Sequence, residues 1–399
     1  MYRRVAMGLL SLAVVLCPTV RAADKTDDNR IVIDSKVLGE QRIALVKTPD
    51  GYDRGELRYP VLYMTDGAAQ LDHTASTIEF LARNGRMPQM IVVAIANTVR
   101  TRDLTPTTPK PNANPGIPLP PGPTGGADKF LKFVETELIP QVEKTYRTQP
   151  YRIFAGHSLG GLLAVHAFAT KNDLFNAYLA VSPTLWWDRE LPIREMADFL
   201  KDRKELDCRL VITKGNEKGA MITSFEKAKQ LLGKQQLKDF VWDSAVIEDE
   251  DHGTVVLRGN YFGLKKFFDG WNPDLTVMGG GLPAIEKFYA DLSKKYKYTI
   301  VPAENLLNQI GYVLLENGRN DDAIAVLKAA AEHYPNSANC FDSLAEVYEK
   351  SGKLGLAAPN YQRAVEVGTK NADPNLPIYK TNFERVSKAL KKTGNATGR

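Results

Sequence analysis

The chain has 399 residues, of which 43% are apolar and 25% charged. This is ordinary globular usage and enough length for two or three domains; it excludes a wholly disordered or collagen-like chain, and no apolar run reaches the roughly 18 residues of a bilayer span. The 52 Lys+Arg against 47 Asp+Glu give +5, but Arg3, Arg4 and Arg21 fall in the first 22 residues, so the remainder carries only about +2, which is no footprint for nucleic acid.

In chain order, Arg3 and Arg4 precede an apolar run over 7–16, and Val20-Arg21-Ala22 supplies a small-x-small pattern before the polar Ala23-Asp24-Lys25. Charge, apolar stretch and cleavage pattern in that order predict a secretory signal peptide over 1–22 and a periplasmic or secreted protein. Leu16 before Cys17 is too bulky for a lipobox. The remaining cysteines, Cys208 and Cys340, lie in different predicted domains and are expected as free buried thiols. No Cys/His cluster has zinc spacing, and neither metal nor organic cofactor is expected.

From about 30 to 270, short β-like runs alternate with longer helical ones. The runs are 31–33, 43–48, 61–65, 90–96, 151–156, 177–182, 208–215 and 240–247, and the middle ones are nearly continuous Val/Ile/Ala/Leu. Strands buried on both faces and alternating with amphipathic helices such as 130–146 predict an α/β fold with a mostly parallel eight-stranded sheet flanked by helices. Residues 106–123 break the rhythm with eight prolines, which exclude helix and central strand and mark a lid, a binding loop or a mobile insertion.

Trp271-Asn272-Pro273 and Gly279-Gly280-Gly281 mark a boundary, placing an α/β domain over 23–275 and an all-helical domain over 276–399. The latter repeats itself at 34 residues. Ile310 recurs as Leu344, Gly311 as Ala345, Leu314 as Tyr348, Gly318 as Gly352, Ala323 as Ala357, Leu327 as Tyr361 and Ala330 as Ala364. Small residues at fixed positions let paired helices approach closely, and this register resembles tetratricopeptide repeats. Pro335, which suits a repeat's end, has Thr369 as its counterpart. Two repeats need capping, by helices near 284–295 and 378–392 or by the α/β domain. The repeats themselves are candidates for a partner-protein surface, a self-association contact or a cap.

The chemistry centres on Gly156-His157-Ser158-Leu159-Gly160. A bare GxSxG is weak, but here it follows a buried strand and precedes an apolar helix, the setting of a nucleophile elbow. A serine hydroxyl needs a base. His73, His157, His166 and His333 are wrongly placed, which leaves His252, directly after the last predicted strand. Glu217, in the loop after the penultimate strand, is the candidate acid that would hold the imidazole tautomer. Asp249, Asp251 or a Ser–His pair alone are the alternatives. Two backbone amides aimed at an oxyanion are expected from Leu159 and from the Gly67–Ala68 turn.

The blocks LYMTDG (62–67), NTVRTRDLTP (97–106), FAGHSLGGL (154–162), SPTLWWD (182–188) and DHG (251–253), in that order, resemble the esterase branch of α/β hydrolases that includes enterobactin- and bacillibactin-type siderophore esterases. Feruloyl esterases and S-formylglutathione hydrolases are its wider relatives. The resemblance covers about 58–260 and implies Ser158 as nucleophile, His252 as base, and site roles for the Arg100/Arg102 segment and the Trp186–Trp187 pair. His157, inside the elbow, joins these as a candidate substrate contact. The proline-rich stretch departs from the family's pattern and leaves the substrate class open, and residues 284–390 resemble the helical tail of some members. Trp186 and Trp187 follow a strand's carboxyl end, where ligands bind in open α/β sheets, and could stack on an aromatic acyl group; Arg100 or Arg102 could pair with an anion.

The expected protein is an exported serine esterase hydrolysing a small carboxylic ester, siderophore or aromatic acyl esters among them, through a Ser-His-acid triad and an acyl-enzyme. The alternatives are an acyltransferase on the same fold and a non-catalytic repeat scaffold that binds a partner protein.

Overall fold

A computed structural model describes residues 29–54, 56–114 and 116–396; the signal peptide expected over 1–22 lies outside these. Eight strands form one sheet in the order β1-β2-β4-β3-β5-β6-β7-β8. They are β1 (Arg30–Ser35), β2 (Glu40–Lys47), β3 (Tyr59–Met64), β4 (Ile91–Ile95), β5 (Thr148–His157), β6 (Ala177–Val181), β7 (Glu205–Lys214) and β8 (Lys238–Val246). Only β1 and β2 join antiparallel; from β4 to β8 all pairings are parallel. Every residue of β3, β4 and β6 is buried, as continuous apolar strands under helices on both faces require. β2 alternates buried and part-buried residues, as a strand near the sheet margin does.

The sheet is flanked by α1 (Gly67–Arg83), α2 (Arg100–Leu104), α3 (Ala127–Phe133), α4 (Ile139–Thr145), α5 (Leu159–Thr170), α6 (Trp187–Leu200), α7 (Ala220–Gly233) and α8 (Val255–Phe267). The expected single helix over 130–146 is α3 and α4 joined by a π turn, Val134–Leu138. Pro140 at the start of α4 has no N–H to give the preceding turn, so the helical ladder is interrupted there. α5 has ten consecutive buried residues, from Leu159 to Phe168, and is apolar on every side. It is a core helix rather than an amphipathic one. Strand register places His157, Val181 and Thr213 side by side, so the residues that follow them, Ser158, Ser182 and Lys214, share the sheet's carboxyl edge.

Residues 106–123 contain no helix or strand among the described ones. The segment is tethered: the Thr107 hydroxyl donates to Asp188 Oδ2 at 2.7 Å and accepts from Trp187 Nε1 at 3.2 Å. Cys208 and Cys340 are free and buried.

Beyond the sheet come α9 (Leu275–Gly279), α10 (Gly281–Tyr296), α11 (Glu304–Glu316), α12 (Asn320–His333), α13 (Ala338–Lys350), α14 (Leu354–Lys370) and α15 (Leu376–Ala396). α11–α12 and α13–α14 are two helical hairpins in the 34-residue register. Ala323, Ala330, Ala345, Ala357 and Ala364 are buried at the helix contacts, and a Cβ on Gly311 would fall 2.5 Å from Leu327 Cγ. One hydrophobic cluster runs from Leu62, Ile153 and Leu179 of the sheet through Leu264, Ile285 and Tyr296 to Leu327 and Leu344. The helical region therefore shares a core with the sheet.

His166 of α5 ties three helices together. Its Nδ1 lies 2.8 Å from Glu195 Oε2 of α6 and its Nε2 2.9 Å from Asp128 Oδ1 of α3. Burial works to lower its pKa, but the two carboxylates outweigh burial and raise it above the ordinary 6.5. A raised folded pKa gives stability that is complete below the unfolded value and lost as pH climbs through the folded one. The thermal midpoint is expected to fall between pH 6 and pH 8.5, and less so in His166→Gln; parallel melting curves across that range check this.

Candidate active site

The site begins with backbone strain. Ser158 sits at φ 59°, ψ −114° between β5 and α5, a conformation that L residues rarely adopt. The turn closes only because its flanks carry no side chain. A Cβ on Gly156 would lie 2.2 Å from the Gly160 carbonyl oxygen, and one on Gly160 would lie 2.1 Å from Thr65 Oγ1. The hydroxyl of Ser158 is thereby lifted off the sheet edge.

His252 lies in the loop after β8. Its Nε2 is 3.0 Å from Ser158 Oγ and its Nδ1 3.0 Å from Glu217 Oε1. The predicted serine, histidine and carboxylate are in contact across 94 and 35 residues of chain. The alternatives are elsewhere. The Asp251 carboxylate caps its own turn through the amides of Gly253 and Thr254, and Asp249 pairs with Arg258. With Glu217 on one ring nitrogen, the Nδ1–H tautomer leaves Nε2 bare toward the hydroxyl.

Burial pushes the Glu217 carboxyl up, but the neighbouring Ser182 hydroxyl and His252 imidazole outweigh it and hold the pKa below the ordinary carboxylate value. Its other oxygen, Oε2, has no hydrogen bond among the described residues and faces Lys214 Nζ at 3.8 Å. Lys214 is 2% exposed and also donates to the Gly215 carbonyl at 2.5 Å. Sequence reasoning missed this lysine. The available signal was a cation closing the otherwise apolar run LVITK.

His157 is a neighbour of the base. Its Nε2 donates to the His252 carbonyl at 2.7 Å, and the two rings lie 4.7 Å apart. Burial first, and then the adjacent imidazole, push its pKa down to about 4, so it is a neutral donor that pins the His252 backbone.

Asp66, which sequence reasoning also missed, precedes α1 in the left-handed region at φ 58°. Its carboxylate accepts from Asn97 Nδ2 at 2.6 Å and from Arg100 Nε and Nη2 at 2.6 and 3.1 Å. Arg100 Nη2 also donates to the His157 carbonyl at 3.2 Å. This brace fixes the Gly67–Ala68 turn beside the elbow. The amides of Gly67, Ala68 and Leu159 have no acceptor among the described residues. A cavity of about 430 Å³ opens there, lined by Gly67, Ala68, Ala96, Asn97, Arg100 and His157 among others.

The remaining predicted contacts are not on that lining. Arg102 is held by Glu40 and Asp103, with nitrogen–oxygen distances of 2.6 and 2.7 Å. Trp187 is fully buried, and its N–H serves Thr107. Trp186 is half-buried, with its indole N–H 3.2 Å from Met221 Sδ. The described residues contain no group of His, Cys, Asp and Glu able to hold a metal ion.

Residues 35–281 match the protein family described as "Putative esterase". The chain is similar to the siderophore triacetylfusarinine C esterase of Aspergillus fumigatus, 27% identical over 255 residues that cover 55% of this chain and 84% of the relative. It is similar to the ferri-bacillibactin esterase BesA of Bacillus subtilis, 30% identical over 164 residues, 37% of this chain and 55% of the relative. Among solved structures, an IroE-like serine hydrolase from Shewanella oneidensis superposes with a TM-score of 0.66 at 28% identity, over 76% of this chain and 99% of that one.

The elbow's packing sets a mutational test. Gly160→Ala is expected to cost roughly 1–3 kcal/mol through overpacking, partly recovered when Thr65→Ala removes the hydroxyl that the new methyl meets. Gly156→Ala, whose methyl meets backbone, has no such rescue; urea midpoints of the singles and the double variant measure both.

Proposed function

The chain belongs to this esterase family and is a hydrolase of ester bonds, and from that premise we propose that it is a serine esterase working through Ser158, His252 and Glu217. The observation that carries the reading is the imidazole of His252, within 3.0 Å of both the hydroxyl and the carboxylate. His252 takes the Ser158 proton as Oγ attacks the ester carbonyl, and Glu217 stabilises the imidazolium that forms. The negative oxygen of the tetrahedral intermediate is received by the amides of Leu159 and of Gly67 or Ala68, which have no other acceptor among the described residues. Collapse expels the alcohol, protonated by His252. Water, deprotonated by the same imidazole, then frees the acid from Ser158.

His157 and Arg100 face the cavity beside these amides and form the proposed substrate wall. Arg100 does so while paired with Asp66, so it presents an edge already neutralised rather than a bare cation. Arg102 is left out because Glu40 and Asp103 engage it, and Trp187 because it is buried; Trp186 remains as an apolar rim. The names of the relatives point to siderophore esters as the substrate class.

The Arg3/Arg4 pair, the apolar run and Ala22 support export by a cleaved signal peptide to a periplasmic or secreted location. The two 34-residue hairpins support a tetratricopeptide-like reading of the region from about 276 onward, capped by α10 and α15. A partner or self-association through these repeats is the lesser part of the proposal.

Ser158→Ala is expected to lower hydrolysis of a short p-nitrophenyl ester by at least about a thousandfold with an unchanged melting temperature, and to abolish fluorophosphonate labelling. Wild-type turnover in that variant would remove the serine mechanism. Glu217→Gln should lower kcat by about a hundredfold or more, with KM little changed, because the tautomer is no longer held. With a competing alcohol present, free acid should remain the main product; a dominant new ester would instead indicate acyl transfer.

A further inference from the structure

On the helical side of the sheet, away from the triad, a second cavity of about 220 Å³ lies between β7, β8, α8 and α10. Its walls include Arg209, Asp243, Lys266, Asp269 and Lys295. Arg209 is only 5% exposed, and none of the ion pairs among the described residues involves it. Its guanidinium instead lies 5.1 Å from the centre of the Tyr296 ring. Lys295 Nζ lies 5.3 Å from the same ring and donates to the Asp269 carbonyl at 2.9 Å. One aromatic ring thus faces two cations, neither with a carboxylate within 4 Å. Of the two acids on the wall, Asp243 is already taken by Lys266 at 2.8 Å, and Asp269 is exposed.

A guanidinium largely buried without an anion gives up part of its hydration and gains no charge partner. Lys295 is a second cation on this wall. Burial, and then Arg209, lower its pKa below the ordinary lysine value. The hydroxyl of Tyr151 is also buried and faces Arg209, whose charge partly offsets the upward push of burial on its pKa. The space suffices for a small oxyanion with a few waters, each water needing about 30 Å³.

We propose that this cavity is a binding site for a small doubly charged oxyanion of the phosphate type, held by Arg209 and Lys295. Neither Arg209 nor Lys295 has a carboxylate within 4 Å, and Arg209 offers the planar fork that suits an oxyanion of the phosphate type. Arg209 belongs to the sheet and Lys295 to α10, so the ligand joins the two and favours the docked helical region. Along β7 the site is five residues from Lys214, roughly 17 Å at strand rise, so it does not touch the hydrolytic groups.

The test is thermal melting of the full-length protein in inorganic phosphate against sodium chloride of equal ionic strength, with sodium acetate as a singly charged control. The expected result is a saturable rise of about 2 °C or more at 10 mM phosphate, a smaller one in acetate, and no rise in Arg209→Met, whose p-nitrophenyl ester turnover stays at wild-type level. Lys295→Gln, on a helix surface and safer for folding, should weaken the phosphate response several-fold. The proposal is overturned if phosphate acts no differently from matched chloride on the wild type, or if Lys295→Gln responds as the wild type does.

Discussion

Everything at the carboxyl edge of the sheet depends on one reversal of the chain, the positive-φ turn at Ser158. β5 ends at His157 and α5 begins at Leu159, so a single residue must change direction. The space for it is made by two absent side chains, at 156 and 160, where a methyl would strike the Gly160 carbonyl and the Thr65 hydroxyl respectively. The strain is held in place by what surrounds it. α5 is buried along ten residues and cannot rotate, and the Ser158 amide is anchored on the Val181 carbonyl at 3.0 Å. A relaxed serine there would point its hydroxyl into the sheet edge, and His252 would have nothing to meet.

The groups around that hydroxyl come from three strand ends brought together by parallel register. Two of the loops that follow hold themselves by local hydrogen bonds, Asp251 with its own turn and Lys214 with Gly215, whereas Asp66 ties its loop to the next one through Asn97 and Arg100. Across the remaining gap the side chains of Ser158, Glu217 and His252 meet one another. His157 links two of these loops, since its ring, made neutral by burial, donates to the backbone of the histidine that faces Ser158.

The strands were legible because the central ones are uninterrupted apolar runs, and the elbow because glycine spacing around a serine is a local pattern. Glu217 was named for its place after β7, although nothing in NEKG distinguishes it from a solvated loop acid, and it is the carboxylate that lies 3.0 Å from the His252 ring. The roles of Asp66, Asn97 and Lys214 were not legible, since each depends on a partner up to 34 residues away or on depth below the surface. Trp187 misled for a related reason: a tryptophan at a strand's end can face ligand or core, and here Thr107, in the proline-rich stretch, takes its N–H. The boundary near 276 reads as a linker in sequence, with three glycines and a Trp-Asn-Pro. In the fold, Trp271 packs on Phe268 and Tyr296, and the two regions share one apolar interior.

The two described cysteines, Cys208 and Cys340, have a consequence for how the fold closes. Both thiols are buried, and burial pushes each up to about 12, so at neutral pH they stay protonated and resist oxidation and alkylation. No crosslink between these two has to form before the sheet and helices close. The sheet and the helical region are therefore joined by packing and hydrogen bonds, not by a bond between Cys208 and Cys340.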